Sequence, residues 1–277
     1  MLDVIKAVLY GIVEGITEWL PVSSTGHMIL LDEFVKMDVS ADFWNMFLVV
    51  IQLGAILAVV LLYWNQIFPW DFSQEARKEH RVNKKEIWML WAKILVACIP
   101  AAVVGLILDD WIDEHLYNGY VVATMLILFG ILFIIVENKN KGKEPVIKTL
   151  DDIDFKTAFI IGLFQLIAAM FPGTSRSGST IVGALMIGVS RTVAAEFTFF
   201  LAIPVMFGAS LLKIVKFGLA FSASEIAILL TGMVVAFIVS VIVIKFLMNY
   251  IRKHDFKVFG WYRIILGAIV LIYFFLK

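Results

Sequence analysis

The chain has 277 residues, of which 61% are hydrophobic and 17% charged, and its 23 basic residues balance its 23 acidic ones. So apolar a composition excludes an ordinary soluble domain of this length. Zero net charge gives no electrostatic reason to bind nucleic acid. At about 20 residues for each membrane-spanning helix, the chain has room for roughly six to nine hydrophobic segments with their loops.

In chain order, the first apolar stretch covers residues 2–30 and is interrupted in its middle by Pro21, a run of hydroxyl residues and a glycine. Irregular backbone at membrane depth is stable only where protein or a water-filled cavity surrounds it. We therefore predict that this stretch is a re-entrant helix–loop–helix hairpin. Three uninterrupted segments follow, and each is long and apolar enough to predict a transmembrane helix, at about 43–64, 87–108 and 119–136.

A second interrupted stretch then covers residues 155–190, where Pro172 is followed by glycine and hydroxyl residues. The same argument predicts a second re-entrant hairpin. The chain ends with three more predicted transmembrane helices, at about 193–216, 226–249 and 260–276. The expected fold class is therefore an all-α polytopic membrane protein with six transmembrane helices and two re-entrant hairpins.

The charge of the loops predicts an orientation. Lysine and arginine are concentrated in loops 65–86, 137–156 and 250–259, whereas 109–118 has acidic residues without lysine or arginine, and 28–42 has a single lysine. Basic loops stay in the cytoplasm, so the first three loops are expected inside and the other two outside. This assignment requires both interrupted segments to return to the side from which they entered. It places the N-terminus and the C-terminus outside.

The two interrupted stretches also resemble each other. An offset of 151 residues aligns them with matching polar and small residues, and Glu14 then lies over Gln165. Because three spans follow each stretch, the second copy begins on the opposite side of the membrane. We predict one integral membrane domain, 1–277, formed by inverted repeats at about 1–140 and 150–277, whose hairpins meet near the midplane. Chance similarity between apolar stretches is the alternative. The identical pairs are Asp3/Asp154, Ala7/Ala158, Gly11/Gly162, Ile16/Ile167, Pro21/Pro172 and Ser24/Ser175.

The first hairpin carries two carboxylates, Glu14 and Glu18, in the run EGITEWLPVSSTGH. Residues four apart on a helix project from one face. Two ionised carboxylates in an apolar segment repel each other and are costly to desolvate, so they require a cation, a proton or an arginine between them. The alternative is a helix end at the membrane surface with both groups in water.

Hydroxyl residues and a histidine follow Pro21: Ser23, Ser24, Thr25 and His27. A cap at the start of a new helix accounts for one hydroxyl but not for three with a histidine. Glutamate, histidine and serine together form a set that can deprotonate a nucleophile and later protonate a leaving group. A purely structural histidine is the alternative.

The second hairpin carries Arg176 in the run FPGTSRSGST, within a segment that is otherwise apolar. An unpaired arginine there would be costly, so it is expected to bind an anion. The glycines allow backbone N–H groups to turn inward, and the start of the following helix adds positive potential, which together favour phosphate. The alternative, a salt bridge from Arg176 to Glu14 or Glu18, is compatible with phosphate binding if it forms in the empty state.

The runs EGITEWLPVSSTGH and PGTSRSGST resemble the two signatures of the undecaprenyl-pyrophosphate phosphatase family, also called the bacitracin-resistance family. The resemblance extends over nearly the whole chain. It implies a multi-pass enzyme of the bacterial cell (inner) membrane that removes the terminal phosphate of undecaprenyl pyrophosphate, recycling the carrier lipid for peptidoglycan synthesis and giving bacitracin resistance. It also implies a divalent cation, Mg2+ or Ca2+, and an active site open to the outer face.

The resemblance assigns roles residue by residue. Glu14 and Glu18 match the acidic pair linked to metal or proton handling, Ser24 and His27 match the nucleophile and acid–base candidates, and Arg176 matches the phosphate-binding arginine. Which of Ser24 and His27 attacks is left open. The candidates for substrate binding around these catalytic residues are Ser23, Thr25, Gly173, Thr174, Ser175, Ser177, Gly178 and Thr180.

Two other functions remain open from the sequence. Inverted repeats with broken midplane helices are also used by secondary transporters, so a transporter or flippase of an anionic lipid or small anion is the alternative. A structural scaffold would leave the buried charges without a reason. The expected partners are the polyprenyl pyrophosphate lipid and membrane lipids, and the formation of a homodimer is left open.

Overall fold

The computed structural model describes residues 2–70, 84–218 and 220–277. Arg77, Lys78 and Arg81 of the predicted basic loop lie outside these residues. Within the described ranges the chain is all-helical. Its helices are α1 (Leu2–Thr17), α2 (Ser24–Phe34), α3 (Ala41–Val50), α4 (Gln52–Leu62), α5 (Trp64–Ile67), α6 (Lys85–His115), α7 (Gly119–Asn140), α8 (Phe155–Met170), α9 (Arg176–Met186), α10 (Arg191–Phe217), α11 (Ala223–Ile251) and α12 (Lys257–Leu276).

The prediction of six transmembrane helices is confirmed. Among the described residues, six helical segments are long and apolar enough to cross a membrane, and they coincide with the six predicted spans. Many large apolar side chains on these helices are exposed, as expected where helices face lipid. The chain is therefore a multi-pass membrane protein. The six segments are Ala41–Leu62, Lys85–Leu108, Gly119–Asn140, Arg191–Phe217, Ala223–Ile251 and Lys257–Leu276.

One predicted loop and one predicted span differ in detail from the structure. The loop expected at 109–118 is mostly helical, because α6 continues to His115 before Asn118 caps α7 by accepting a hydrogen bond from the Val121 N–H at 3.0 Å. Acidic residues end the apolar run without ending the helix. The first span is divided at Ile51, where the Gly54 N–H donates to the Ile51 carbonyl at 3.0 Å and tightens one turn between α3 and α4.

The two interrupted stretches have matching lengths. Helices α1 and α8 have 16 residues each, and α2 and α9 have 11 residues each. All four are shorter than the roughly 20 residues that span a bilayer. Helix α1 packs along α11 and α8 packs along α6. A glycine permits each close approach: a Cβ on Gly11 would lie 2.7 Å from the Gly232 carbonyl, and one on Gly162 would collide with the backbone of Ala97.

A buried carboxylate joins three helix ends away from the interrupted stretches. Glu137, near the end of α7, accepts hydrogen bonds from Arg191 Nε at 2.9 Å and from Arg191 Nη2 at 2.5 Å. It also accepts from the Phe256 N–H, just before α12, at 2.9 Å. Only 2% of Glu137 is exposed, so these charge-assisted bonds form in a low-dielectric environment. The contact fixes the ends of α7, α10 and α12 to one another.

We expect Glu137→Ala to destabilise the protein by about 2–3 kcal/mol, because Arg191 and the Phe256 N–H lose their partner. This loss corresponds to a decrease of roughly 5–10 °C in the thermal midpoint of the detergent-solubilised protein. The control is Glu144→Gln, which removes an exposed glutamate paired with Lys148 and should leave the midpoint unchanged. Equal midpoints for the two variants would contradict the assigned role of Glu137.

Candidate active site

The two interrupted stretches begin their second helices in the same unusual way. Ser23 and Ser175 have positive φ angles of 73° and 68°, which non-glycine residues seldom adopt. Ser23 Oγ accepts a hydrogen bond from the Gly26 N–H, and Ser175 Oγ accepts one from the Gly178 N–H. The N-caps of α2 and α9 are therefore Ser23 and Ser175, whereas the sequence offset of 151 residues pairs Ser175 with Ser24. Strained backbone of this kind is often found at functional sites.

Glu18 links the two loops. Its Oε2 accepts a hydrogen bond from Ser24 Oγ at 3.0 Å, and its Oε1 accepts one from Arg176 Nη2 at 2.9 Å. Its main-chain carbonyl accepts from Ser177 Oγ at 3.0 Å. The salt bridge considered from the sequence is thus present, between Arg176 and Glu18. The structure brings a serine hydroxyl, a carboxylate and an arginine from opposite halves of the chain into one connected group.

Arg176 is also held by helix α10. Its Nη1 donates to the Thr198 carbonyl at 2.8 Å, and the Thr198 hydroxyl lies 2.9 Å from the Thr180 hydroxyl. Thr198 and Thr180 are fully buried. Sequence reasoning missed Thr198, because a single threonine is common within the apolar run of a spanning helix and gives no signal of a site. Thr198 therefore holds one terminal nitrogen of the guanidinium while Glu18 holds the other.

The site contains buried polar atoms that have no hydrogen-bond partner in the described part of the chain. Buried polar groups are nearly always paired with protein or water, so such atoms mark groups that a ligand, an ion or water could pair with. Glu14 is 1% exposed, and it lies close enough to Glu18 and Arg176 to interact with both electrostatically. The unpaired atoms near the two loops are Glu14 Oε1, Trp19 Nε1, Thr174 Oγ1 and Arg176 Nε.

His27 does not share a hydrogen bond with Ser24 in the described contacts. Its Nδ1 lies 2.7 Å from the Ser23 carbonyl, and its Nε2 lies 2.7 Å from the hydroxyl of Tyr262 on α12. The imidazole and phenol planes are nearly parallel, at 6°. Glu18, Ser24 and His27 therefore all lie around the first loop. The hydroxyl of Ser24 donates to Glu18 and not to His27. Tyr262 was missed because an aromatic residue near a membrane helix end is common.

The remaining predicted residues surround the same loops. Thr25 is half-buried in the first turn of α2. Gly173 has a φ of 90° and closely approaches the backbone of Val122, so a side chain would not fit there. Ser175 Oγ and Ser177 Oγ are 3.2 Å apart, and Gly178 lies beside Arg263 of α12. Sequence reasoning also missed Arg263, although a charged residue within the predicted span 260–276 was a visible signal.

The fold and the site define a class of protein: a multi-pass membrane protein whose two interrupted helical segments enclose a buried carboxylate–arginine pair beside the N-terminus of a helix. Such an arrangement suits an anionic group, because arginine and free backbone N–H groups both bind phosphate. The comparison with protein families agrees with this class. The model of the bacitracin resistance protein BacA family matches residues 7–269, and the chain belongs to that family.

Curated relatives match along almost the full chain. The chain is 65% identical over 274 residues to the undecaprenyl-diphosphatase of Desulfitobacterium hafniense, an alignment that covers 99% of this chain and 97% of the relative. It is 62% identical over 273 residues to undecaprenyl-diphosphatase 1 of Clostridium acetobutylicum, covering 99% and 98%. It is 61% identical over 275 residues to the undecaprenyl-diphosphatase of Acetivibrio thermocellus, also covering 99% and 98%.

The two carboxylates of the site should differ in their effect on stability. We expect Glu14→Gln to raise the thermal midpoint by roughly 2–4 °C in the presence of EDTA, because it removes a buried carboxylate with an unpaired oxygen. Glu18→Gln should lower the midpoint, since it weakens the hydrogen bonds to Arg176 and Ser24. The measurement is thermal unfolding of both variants in detergent. A decrease for Glu14→Gln as large as that for Glu18→Gln would mean that Glu14 is held by a stabilising partner.

Proposed function

We propose that this protein is an undecaprenyl-diphosphatase, which hydrolyses undecaprenyl pyrophosphate to undecaprenyl phosphate and inorganic phosphate and so recycles the carrier lipid for cell-wall synthesis. Its membership of the bacitracin resistance family and the names of its full-length relatives support this activity. The observation that carries the proposal is the connected group Ser24–Glu18–Arg176. It combines a nucleophile, a base and a phosphate-binding cation inside a membrane protein.

The terminal phosphate would bind at the N-terminus of α9. Arg176 is the first residue of that helix, and the hydroxyls of Ser175, Ser177 and Thr180 lie around it. The helix N-terminus and the guanidinium both attract negative charge. The prenyl chain, which is purely apolar, would remain in the lipid beside the helices. Arg176 donates a hydrogen bond to Glu18, so a bound phosphate would replace Glu18 as one of the acceptors of the guanidinium.

The geometry supports Ser24 as the nucleophile and Glu18 as its base. The Ser24 hydroxyl already donates to Glu18, so the carboxylate can accept its proton as Oγ attacks the terminal phosphorus. The bond from this phosphorus to the bridging oxygen breaks, and undecaprenyl phosphate leaves. Water then attacks the phosphoserine, Glu18 returns the proton to Ser24 Oγ, and inorganic phosphate departs with the oxygen and both protons of the water. Most of the catalysis is positioning and charge neutralisation.

His27 is the rival nucleophile. Its imidazole is near the first loop, but both ring nitrogens have partners, the Ser23 carbonyl and the Tyr262 hydroxyl. A nucleophilic nitrogen would first have to leave one of these contacts. We therefore assign His27 to the orientation of the first loop, which it holds through the Ser23 carbonyl and Tyr262, and Ser24 to the attack.

A divalent cation, Mg2+ or Ca2+, fits the acidic side of the site. Glu14 offers a buried, unpaired oxygen next to the carboxylate of Glu18. Among the described residues no group of three or more His, Cys, Asp or Glu side chains suits a metal ion, so the phosphates would complete the coordination, as is usual for Mg2+. Bound there, the cation would neutralise charge on the pyrophosphate. Undiminished phosphate release in excess EDTA would exclude this cofactor.

We further propose that the chain is one membrane domain made of two inverted repeats with re-entrant hairpins. The equal lengths of α1 and α8 and of α2 and α9, the close packing at Gly11 and Gly162, and the two serine caps support this arrangement. The basic loops at 137–156 and 250–259 support an active site that opens to the outer face, with both termini outside. Protease or thiol accessibility of tagged termini in intact cells tests the orientation.

Arg176→Ala should lower phosphate release from undecaprenyl pyrophosphate by about a thousandfold or more in folded, detergent-purified protein. The reason is that the terminal phosphate loses the positive charge of the guanidinium. Arg176→Lys should restore only part of the activity, since an ammonium cannot make the paired contacts of a guanidinium. The control is Arg252→Ala at an exposed position. Substantial activity of Arg176→Ala would contradict the assignment.

The same assay separates the enzyme from a transporter or flippase. Detergent solution has no compartments, so a transporter would bind the lipid there without releasing phosphate. Release of stoichiometric phosphate by the unsubstituted protein, lost in Arg176→Ala and kept in Arg252→Ala, is the result expected for the phosphatase.

The nucleophile is tested by trapping the covalent intermediate. Brief reaction followed by a quench and peptide mass spectrometry should find phosphate on Ser24. Parallel acid and alkaline quenches are needed, because phosphohistidine survives alkali and phosphoserine survives acid. Ser24→Ala should abolish trapping. Phosphate found on His27 after the alkaline quench, with none on Ser24 after acid, would instead make the histidine the nucleophile.

A further inference from the structure

Arg263 of α12 is fully buried and lies beneath both loops of the site. Its Nη1 donates to the Pro21 carbonyl of the first loop at 3.2 Å. Its Nη2 donates to the Gly173 carbonyl at 3.0 Å and to the Thr174 carbonyl at 2.6 Å in the second loop. A longer contact at 3.5 Å joins its Nε to the Leu126 carbonyl of α7. One guanidinium therefore connects the two loops and two spanning helices.

No carboxylate lies within ion-pair distance of Arg263 in the described chain. A buried charge without an opposite charge is costly at membrane depth and is retained where it has a function. Here main-chain carbonyl oxygens replace the counter-ion. Because the helices are interrupted, the carbonyls of Pro21, Gly173 and Thr174 would otherwise be unpaired in an apolar environment. The arginine and the loops thus stabilise each other.

The links made by Arg263 differ in kind from those made by Glu18. Glu18 connects the loops through side chains that the proposed reaction changes, since it takes the proton of Ser24 and shares Arg176 with phosphate. The acceptors of Arg263 are backbone carbonyls that take no part in the chemistry. Its hydrogen bonds can therefore persist through every step and keep the loop that holds Ser24 at a fixed distance from the loop that holds Arg176.

We propose that Arg263 is a positioning residue that keeps the loop holding Ser24 aligned with the loop holding Arg176. This inference rests on the proposed phosphatase activity. It does not touch the reacting atoms. Its effect is on the alignment of Ser24 Oγ with the phosphorus, because a displacement of about 1 Å in a reacting group can lower a rate a hundredfold.

Gly178 provides a second way to move this guanidinium. A Cβ at position 178 would lie 2.6 Å from Arg263 Nη1. Gly178→Ala therefore forces Nη1 away from its place, although the arginine itself is unchanged. The same Cβ would lie 3.2 Å from Ser175 Cβ, a much smaller overlap. If both positions act through the guanidinium, their effects will not add.

The experiment measures kcat and KM for undecaprenyl pyrophosphate with Arg263→Lys, Gly178→Ala and the double variant in detergent. Lysine keeps the charge, but one ammonium cannot reach the carbonyls of both loops. We expect kcat to fall about a hundredfold in each single variant and little further in the double variant, with KM within about threefold, because Arg176 and the prenyl chain still bind.

The matched control is Arg191→Lys, which weakens the buried contact with Glu137 away from the site. It should lower the thermal midpoint, yet leave kcat of the folded protein unchanged. A kcat for folded Arg263→Lys within threefold of the unsubstituted protein would overturn the proposal. An equal loss of kcat in Arg191→Lys would also overturn it, by reducing Arg263 to a general stabilising role. Failure of the unsubstituted protein to release phosphate would instead contradict the proposed function.

Discussion

The structure depends on one constraint: a backbone that leaves the helix among packed apolar helices must still satisfy its N–H and C=O groups. Each interruption exposes such groups. The hydroxyls of Ser23 and Ser175 accept hydrogen bonds from N–H groups of the helices that follow, and Arg263 donates to carbonyls on both loops. These residues allow two irregular loops to exist among apolar helices. The polar chemistry of the site is possible because the loops are satisfied in this way.

The two glutamates of the site differ in how fully their oxygens are hydrogen-bonded. Glu18 is shared between a hydroxyl and a guanidinium, whereas Glu14 keeps an unpaired oxygen in a buried environment. A substrate rich in negative charge cannot enter beside two carboxylates unless positive charge accompanies it or Arg176 changes partner. The unpaired oxygen of Glu14 is the reason that removing this carboxylate should stabilise the fold, whereas removing that of Glu18 should not.

The sequence predicted the features that have a strong local signal. Six spans follow from apolar runs near 20 residues, and the interruptions follow from Pro21 and Pro172. Thr198, Tyr262 and Arg263 were missed because each is a single polar residue in an apolar helix, and its role depends on which distant loop it meets. The exact start of each second helix was not predicted either, since the hydrogen bonds that Ser23 and Ser175 accept, and not residue identity alone, decide where the new helix begins.

The shared cap geometry of the two interrupted stretches has a consequence for the proposed repeat. With Ser23 and Ser175 equivalent, the first helical residues that follow them, Ser24 and Arg176, occupy matching places. An assembly of two identical chains in the proposed inverted arrangement would carry the same side chain at both. In this chain the two sequences differ at these places, so a hydroxyl stands at the start of one short helix and a guanidinium at the start of the other. Divergence between two similar halves therefore lets one site combine two different chemical groups, which two identical halves would not supply.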